Sequence, residues 1–472
     1  MEAASTVSGS FRDPSGRVYV NDRHVYRSVM PRAVDEFEFV RSTGLLDKLI
    51  ERGHVISESI VDPGVLGNSG EGACYVLEHP RLPFISYPYE WPFPALKAAA
   101  LLQLDVHLEA LEHGVTLSDA SAYNIQFRGP RPVFIDSLSF RRYRDGEFWI
   151  GHRQFCEQFV NPLLLRSLSG VPHNSWYRGA LEGISAQELR PLLRWSQKLS
   201  WNVLMHVVMQ ARFQTQVSAR SDAELRIKNR KLSLIAFQQM LRGLRRWISK
   251  LKPANTGKTV WAGYAGDNSY RSEEARSKQK FITEFTRTLR PSMLWDIGCN
   301  SGDYSKTALD AGAKFVVGFD FDQGALDLAF SRAVEEKLNF LPLFLDAANQ
   351  SPSQGWAQSE RMGLMKRADA EGVLALALVH HLVIGKNIPL HEVVDWLVGM
   401  APEGVIEFVQ KSDPMVQTLL RLREDIFDDY CEESFVQSLE RKADIVRSVT
   451  ISSSKRRLFW YRRRLSNTFP TT

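Results

Sequence analysis

The residues best able to hold a small molecule are concentrated in Met293-Leu-Trp-Asp-Ile-Gly-Cys-Asn-Ser-Gly-Asp-Tyr-Ser305. A short apolar run ends at Asp296, a turn carries Gly298, Asn300 and Gly302, and helix-forming residues follow from Asp303. Glycines let backbone pass close to a ligand and neighbouring polar groups anchor it, which is how a doubly wound sheet receives a nucleoside. Two further apolar runs also end in acids. Phe315-Val-Val-Gly-Phe-Asp320 places its acid 24 residues after Asp296, and Leu341-Pro-Leu-Phe-Leu-Asp346 places a third 26 residues on. A dinucleotide loop reads G-x-G-x-x-G and seats a pyrophosphate on the following helix. Here an acid precedes the glycines and Asp303 follows them, so a cationic, phosphate-free ligand is favoured over a dinucleotide or a purely structural turn.

A second constellation lies near the N-terminus. Asp119 is followed by Asn124 and then by Asp136 at the end of the apolar run Pro132-Val-Phe-Ile, with a turn at Gly129-Pro130 between them. The set joins two carboxylates and an amide, and one reading of it is a polar loop of Asx turns. A third feature is the pair His380-His381, at the end of the uninterrupted apolar run Val373–Val379.

These groups need rigid elements behind them. The apolar runs ending at Asp296, Asp320 and Asp346, together with Val373–Val379 and Val405–Val409, read as buried parallel strands separated by helices. Asp444–Ile451 and Arg457–Tyr461 read as a terminal hairpin around Ser452–Lys455. Upstream, Arg17–Val20 and His24–Val29 form a hairpin around Asn21-Asp22, and Asp35–Arg52 has helical spacing. Cys74–Leu77 reads as a strand. The proline-rich segment Pro83–Pro94 cannot continue a central strand, and Pro94–His113 reads as a helix stopped by Gly114.

The ordered set of strand-terminal acids resembles the class I S-adenosylmethionine (SAM)-dependent methyltransferases over residues 256–472. The resemblance implies an α/β, Rossmann-like, seven-stranded sheet whose last strand is inserted antiparallel. It also implies SAM as cofactor, with Asp296, Gly298, Asn300 and Gly302 cradling its methionine and ribose. Asp320 would hold the ribose hydroxyls and Asp346 the adenine, and Tyr304, opening the next helix, would touch the methionine end. The acceptor would lie beyond the fourth strand, where His380 is a candidate general base; the alternative is that one histidine caps the next helix while the other packs. No Asn/Asp-Pro-Pro-Tyr motif follows that strand, which resembles the small-molecule branch of the family. The paired histidines and Glu407-Phe-Val-Gln-Lys-Ser-Asp-Pro414 are also similar to methyltransferases associated with nodulation host-specificity proteins. Tyr264, Tyr270 and Lys280 are second-rank candidates around the ligand.

The Asp119, Asn124 and Asp136 set resembles the catalytic loop of kinase-like and aminoglycoside phosphotransferases. That likeness implies an N-terminal α+β kinase-like domain, a nucleotide there, Asp119 as the catalytic aspartate that orients or deprotonates a hydroxyl acceptor, and Asn124 and Asp136 on magnesium. The sequence departs from the pattern in having no glycine-rich loop, no Val-Ala-Ile-Lys strand and Ser-Leu after Asp136.

At 472 residues two or three domains are expected, and 44% hydrophobic content supports packed cores. The expected division is a disordered segment 1–10, a kinase-like domain 11–180, a helical connector 181–255 broken at Lys252–Lys258, and the methyltransferase domain 256–472. Four scattered cysteines without a Cys-x-x-Cys pair argue against a structural zinc site or disulfide framework. The opening residues are polar and no apolar run approaches membrane-spanning length, so a cytoplasmic protein with no membrane span is expected. Between Arg220 and Lys252 ten basic residues face two acids, interleaved with apolar residues from Leu232 to Ile248. Such helices contact RNA, an anionic membrane surface or a partner protein, or lie solvated with their apolar side packed. Three functions remain open: a methyltransferase acting on an unidentified methyl acceptor, a bifunctional or ATP-regulated form of it, and a silent SAM-binding scaffold.

Overall fold

The computed structural model describes residues 5–21, 24–211, 231–254, 269–421, 423–451 and 455–464, with backbone alone at 269–272. The chain divides into two compact units, Met1–Thr256 with Ser353–Met362, and Gly257–Pro352 with Gly363–Thr472.

In the first unit, β1 (Ser5–Thr6), β2 (Val18–Val20), β3 (His24–Val29), β4 (Ser59–Val61) and β5 (Tyr75–Pro80) form an antiparallel sheet in the order β1-β2-β3-β5-β4. Asn21 closes the β2–β3 hairpin by accepting the His24 N–H at 2.8 Å. The N-terminus expected to be disordered is ordered from Ser5, where β1 pairs with β2 and a 3₁₀ turn covers Ser8–Arg12. The helix expected over Asp35–Arg52 is two helices, Val34–Ser42 and Leu45–Glu51, because Gly44 takes φ 70° between them. Its expected apolar face is buried all the same, through Phe37, Val40, Leu45, Leu46 and Leu49.

Helix Phe93–Glu112 starts with Pro94 in its first turn and stops before Gly114, whose φ of 68° suits glycine. Two short antiparallel ladders follow, β6 (Val115–Leu117) with β9 (Phe140–Arg142), and β7 (Ile125–Arg128) with β8 (Arg131–Phe134). The expected helical connector is interrupted: Ala186–Leu192 contains Pro191 and ends on extended Leu193, and short turns follow. The basic residues from Arg220 to Arg230 lie outside the described residues, as do Tyr264, the side chain of Tyr270, linker residues from Asn255 and the turn Ser452–Ser454.

Helix Leu234–Lys250 buries Phe237, Leu241, Leu244 and Ile248 against helix Phe93–Glu112, and Arg245 pairs with Asp105. Each such apolar side chain contributes roughly 1.5–3 kcal/mol. The apolar side of this basic helix is therefore consumed within its own unit, which joins the expected connector to the N-terminal unit. The segment Ser353–Met362 belongs there too: Gln354 donates to the Arg178 carbonyl, the Met362 N–H donates to Tyr87 Oη, and Arg361 lies 4.1 Å above the Tyr123 ring. Nothing in the sequence pattern announced it.

The second unit is built on a seven-stranded sheet of β10 (Leu294–Ile297), β11 (Val316–Asp320), β12 (Phe340–Phe344), β13 (Gly372–Ala375), β14 (Glu403–Phe408), β15 (Ala443–Thr450) and β16 (Arg457–Arg463). The order is β12-β11-β10-β13-β14-β16-β15, with β10 to β14 parallel and β16 antiparallel to both neighbours. This is the expected seven-stranded sheet with an inserted antiparallel strand. The strand expected over Val373–Val379 is shorter: β13 stops at Ala375, and Val379–Lys386 is a helix. Leucine, alanine and valine serve a buried strand and a buried helix alike, so that apolar run did not mark the change. Among the described residues no helix is long and apolar enough to cross a membrane.

Candidate active site

The register of the parallel strands sets the site. Ile297 pairs with Phe319 on one side and with Ala375 on the other, so the chain leaving β10 emerges between the ends of β11 and β13. The reversal of winding at β10 opens a crevice there, where ligands of such sheets bind. A cleft of about 410 Å³ occupies it, lined by Gly298, Asn300, Asp320, Phe321, Asp346, Ala377, His380, His381, Lys386, Met415 and Arg456 among others. That volume falls within the range of small-molecule sites.

Gly298 leaves the strand at φ 84°, and its N–H and that of Cys299 both donate to the Phe319 carbonyl, at 2.7 and 3.0 Å. Asn300 turns at φ 51°, and its N–H donates to Asp320 Oδ2 at 2.8 Å; the Asp322 N–H donates to Oδ1 at 2.8 Å. Two backbone donors thus fix the Asp320 carboxylate at the cleft wall, opposing the upward pKa shift that burial imposes on it. Asp346 accepts the Ala348 N–H at 3.1 Å and is half-buried. Ala377 adopts φ 50°, so two non-glycine residues at the cleft carry left-handed backbone, a strain that concentrates at binding sites.

Not every expected residue reaches the cleft. Asp296 is 1% exposed and lies beneath the turn, where Ser305 Oγ donates to its Oδ2 at 2.6 Å. Burial pushes its carboxyl up to about 7, with the Ser305 bond acting against that shift. Gly302 stands at the start of helix Asp303–Asp310 with φ 83°; a Cβ there would lie 2.5 Å from the Phe340 ring. Tyr304 packs on the core beside the sheet. Asp303 faces away from the lining and pairs with Arg332 at 2.6 Å, so the acidity of the cleft rests on Asp320 and Asp346. Lys280 is exposed, whereas Lys278 is buried.

His380 sits in the first turn of helix Val379–Lys386, 1% exposed, its ring 4.1 Å from that of His381. Its Nδ1 has no hydrogen-bond partner among the described residues. Burial first, then His381, hold the His380 imidazole well below its ordinary pKa, and burial with nearby Arg456 lowers His381 to about 4. Both rings are neutral near pH 7, and the same burial makes them weaker bases than a free imidazole.

Sequence reasoning missed the charged group beside them. Arg456 lines the cleft and pairs with Asp413 at 2.8 Å and with Glu274 at 3.4 Å; fully buried Glu407 lies 3.6 Å from it and 2.9 Å from Lys278. Ionised groups with so little water persist only when paired. The sign available in the sequence was an acid, Glu407, inside an apolar strand.

In the first unit the chain brings Asp119, Asn124 and Asp136 together. Asn124 Nδ2 donates to both Asp119 oxygens at 3.1 and 3.3 Å, and Ser139 Oγ bonds Asp119 and Asp136 at 3.1 and 2.7 Å. Burial, then the Asp136 charge, raise the Asp119 carboxyl to about 6. Arg27 on β3 stands 3.3 Å from Asp136 Oδ1 and also pairs with Asp13. A magnesium ion on Asp136 would have to displace that guanidinium, so the residues present fit magnesium poorly.

The strand order and the cleft define the second unit as a class I methyltransferase fold. No family model matches the chain. Nodulation protein NoeA of Rhizobium meliloti (strain 1021) is 45% identical over 458 residues, covering 97% of this chain and 96% of that protein. The chain belongs to the NoeA family. Among solved structures, the N-methyltransferase NodS of Bradyrhizobium japonicum WM9 with S-adenosyl-L-homocysteine is 14% identical, covering 44% of this chain and 98% of that one at a TM-score of 0.32. Magnesium protoporphyrin IX methyltransferase (ChlM) of Synechocystis PCC 6803 is 16% identical, covering 47% and 95% at a TM-score of 0.30. Neither likeness adds weight to the strand order.

Proposed function

We propose that the second unit binds SAM in the cleft at the ends of β10, β11 and β12 and transfers its methyl group to a small-molecule acceptor. The observation that carries this reading is the joint placement of Asp320, Asp346 and His380 around one cleft. The cleft suits SAM: two carboxylates face it, the turn at Gly298 allows close backbone approach, and its one guanidinium, Arg456, is already paired with acids. Asp320 would accept from ribose hydroxyls and Asp346 from the adenine amino group, while Gly298 and Asn300 flank the remainder. Asp296, Gly302 and Tyr304 would act from behind, holding the turn and its helix in place. SAM supplies an electrophilic methyl group for in-line displacement, so the protein's task is alignment, exclusion of water and removal of a proton. His380, buried and neutral, would take that proton. A relative named for nodulation makes that setting the place to seek the acceptor.

Calorimetry of the full chain with SAM tests the reading: one equivalent should bind, and absence of binding would overturn it. A second reading, a nucleotide-binding first unit, draws on the convergence of Asp119, Asn124 and Asp136, with Arg27 at Asp136 counting against it. Titration with Mg-ATP separates it from a nucleotide-free first unit.

A further inference from the structure

We propose that His152, Cys156 and His206 form a metal site in the first unit that takes a zinc ion, or a cation of the same borderline-soft class, through Nε2, Sγ and Nδ1. These three atoms all lie within 4.8 Å of one another. His152 Nε2 stands 3.0 Å from His206 Nδ1 and 3.7 Å from Cys156 Sγ. Zinc bonds of about 2.0–2.1 Å to nitrogen and about 2.3 Å to sulfur give tetrahedral edges of roughly 3.3 Å for N–N and 3.6 Å for N–S. The two edges from His152 Nε2 match to within about 0.3 Å, and the third, between Cys156 and His206, lies within 4.8 Å, so side-chain movements close the set.

The backbone that carries these residues is unusual in two places. Helix His152–Phe155 passes into a π-helical turn, Cys156–Val160, before Asn161–Ser169 resumes the α-helix. Pro162 has no N–H to return to the carbonyl four residues back, which favours the wider turn before it. His206 lies inside a second π-helical turn, Leu204–Val208. Such turns recur at functional sites, and here one begins with Cys156 and the other presents His206 to it.

The surroundings suit a ligand set. Gln210 Nε2 lies 3.0 Å from His152 Nδ1, and Gln210 Oε1 is buried with no partner among the described residues. With the amide turned end for end, Oε1 accepts the Nδ1 proton, leaving the Nε2 lone pair aimed at Cys156 and His206. An outer partner of this kind fixes the tautomer of most metal-bound histidines. Trp247 stacks on His206 with ring centroids 6.0 Å apart, and Trp149 meets His152 edge-on, which limits water. An imidazole binds a cation through its neutral form, which is the form that a buried histidine between aromatic rings presents. Cys156 is fully buried; binding releases its thiol proton to solvent and the cation replaces it as partner of the sulfur. Two nitrogens and a sulfur suit zinc better than magnesium or calcium, which prefer oxygen.

The test uses the full chain purified without a metal-affinity tag, loaded with zinc, desalted and assayed for metal. One zinc per chain is expected in the wild type and none in Cys156→Ser or His206→Gln, with unchanged far-ultraviolet circular dichroism. Gln210→Ala should weaken zinc binding by roughly 10–100-fold. X-ray absorption at the zinc edge of the wild type, which does not depend on any variant folding, should show one sulfur and two imidazole nitrogens. No zinc in the wild type, zinc retained by folded Cys156→Ser, or a zinc shell without sulfur would each overturn the proposal.

Discussion

The two acid-bearing loops of this chain look alike in sequence and behave differently once folded. At the end of β11, Asp320 is fixed by two backbone N–H groups and still faces a cleft of about 410 Å³. Around Asp119, the polar groups answer one another: Asn124 and Ser139 bond its carboxylate, and Arg27 stands at Asp136. Backbone donors hold a carboxylate in position without using all its acceptor capacity, whereas a side-chain network with a guanidinium neutralises its members. Spacing of acids thus identifies a loop, and the partners of those acids decide whether it is poised for a ligand.

The largest expected effect is on chemistry at the cleft. Replacing His380 by Ala should lower transfer of labelled methyl from SAM to a small-molecule bacterial fraction by about 10²–10⁴-fold. Full activity in that variant would remove His380 as the base. Asp320→Ala comes next: loss of a charged acceptor of about 1.5–3 kcal/mol should weaken SAM binding by roughly 10–100-fold in calorimetry. Unchanged affinity would break the contrast between the two loops, because Asp320 would then be as self-contained as Asp119.

Stability against pH sharpens the same contrast. Asp296, raised from 3.8 to about 7, binds more protons folded than unfolded between those values. Its contribution is therefore fully present below about pH 4 and lost as pH rises to about 7, by on the order of 2–4 kcal/mol. Asp119, raised from 3.8 to about 6, has the same sign over a shorter window and a smaller amplitude. In urea melts from pH 4 to 8, Asp296→Asn and Asp119→Asn should each gain stability relative to wild type as pH rises, the first by more. Parallel pH profiles for variant and parent would contradict these shifts. The smallest effect is expected from Asp136→Ala, which should leave SAM affinity within about twofold, well under 1 kcal/mol. A marked loss would mean that the two loops are coupled.

What the sequence disclosed, and what it concealed, follows from how each signal is encoded. Asp320 is the last residue of β11, as its apolar run suggested, whereas β12 stops at Phe344, two residues short of Asp346; the inserted β16 was legible as half of a terminal hairpin. The start of helix Val379–Lys386 was not, since Val373–Val379 has no turn residue to mark it and His380 looked like a strand end. Lys278 was missed in favour of exposed Lys280, because Lys278 turns its ammonium inward to Glu407. His152 and Cys156 are one helical turn apart and could have been noticed, but His206 joins them only through tertiary packing. The cysteine count argued against a structural zinc site by seeking Cys-x-x-Cys pairs, a pattern that a histidine-rich set does not need.

The short segment Ser353–Met362 has a practical meaning for anyone dividing this molecule. Because it lies between β12 and β13 yet belongs to the N-terminal unit, the polypeptide crosses between units three times. No single cut in the gene separates them cleanly. An expressed fragment beginning at Gly257 would carry Gln354, Arg361 and Met362 without the Arg178, Tyr123 and Tyr87 groups that hold them in the whole chain. The N-terminal fragment would in turn lack the loop that Arg12 grips through Glu360. For genetic purposes the second unit and its companion are one piece.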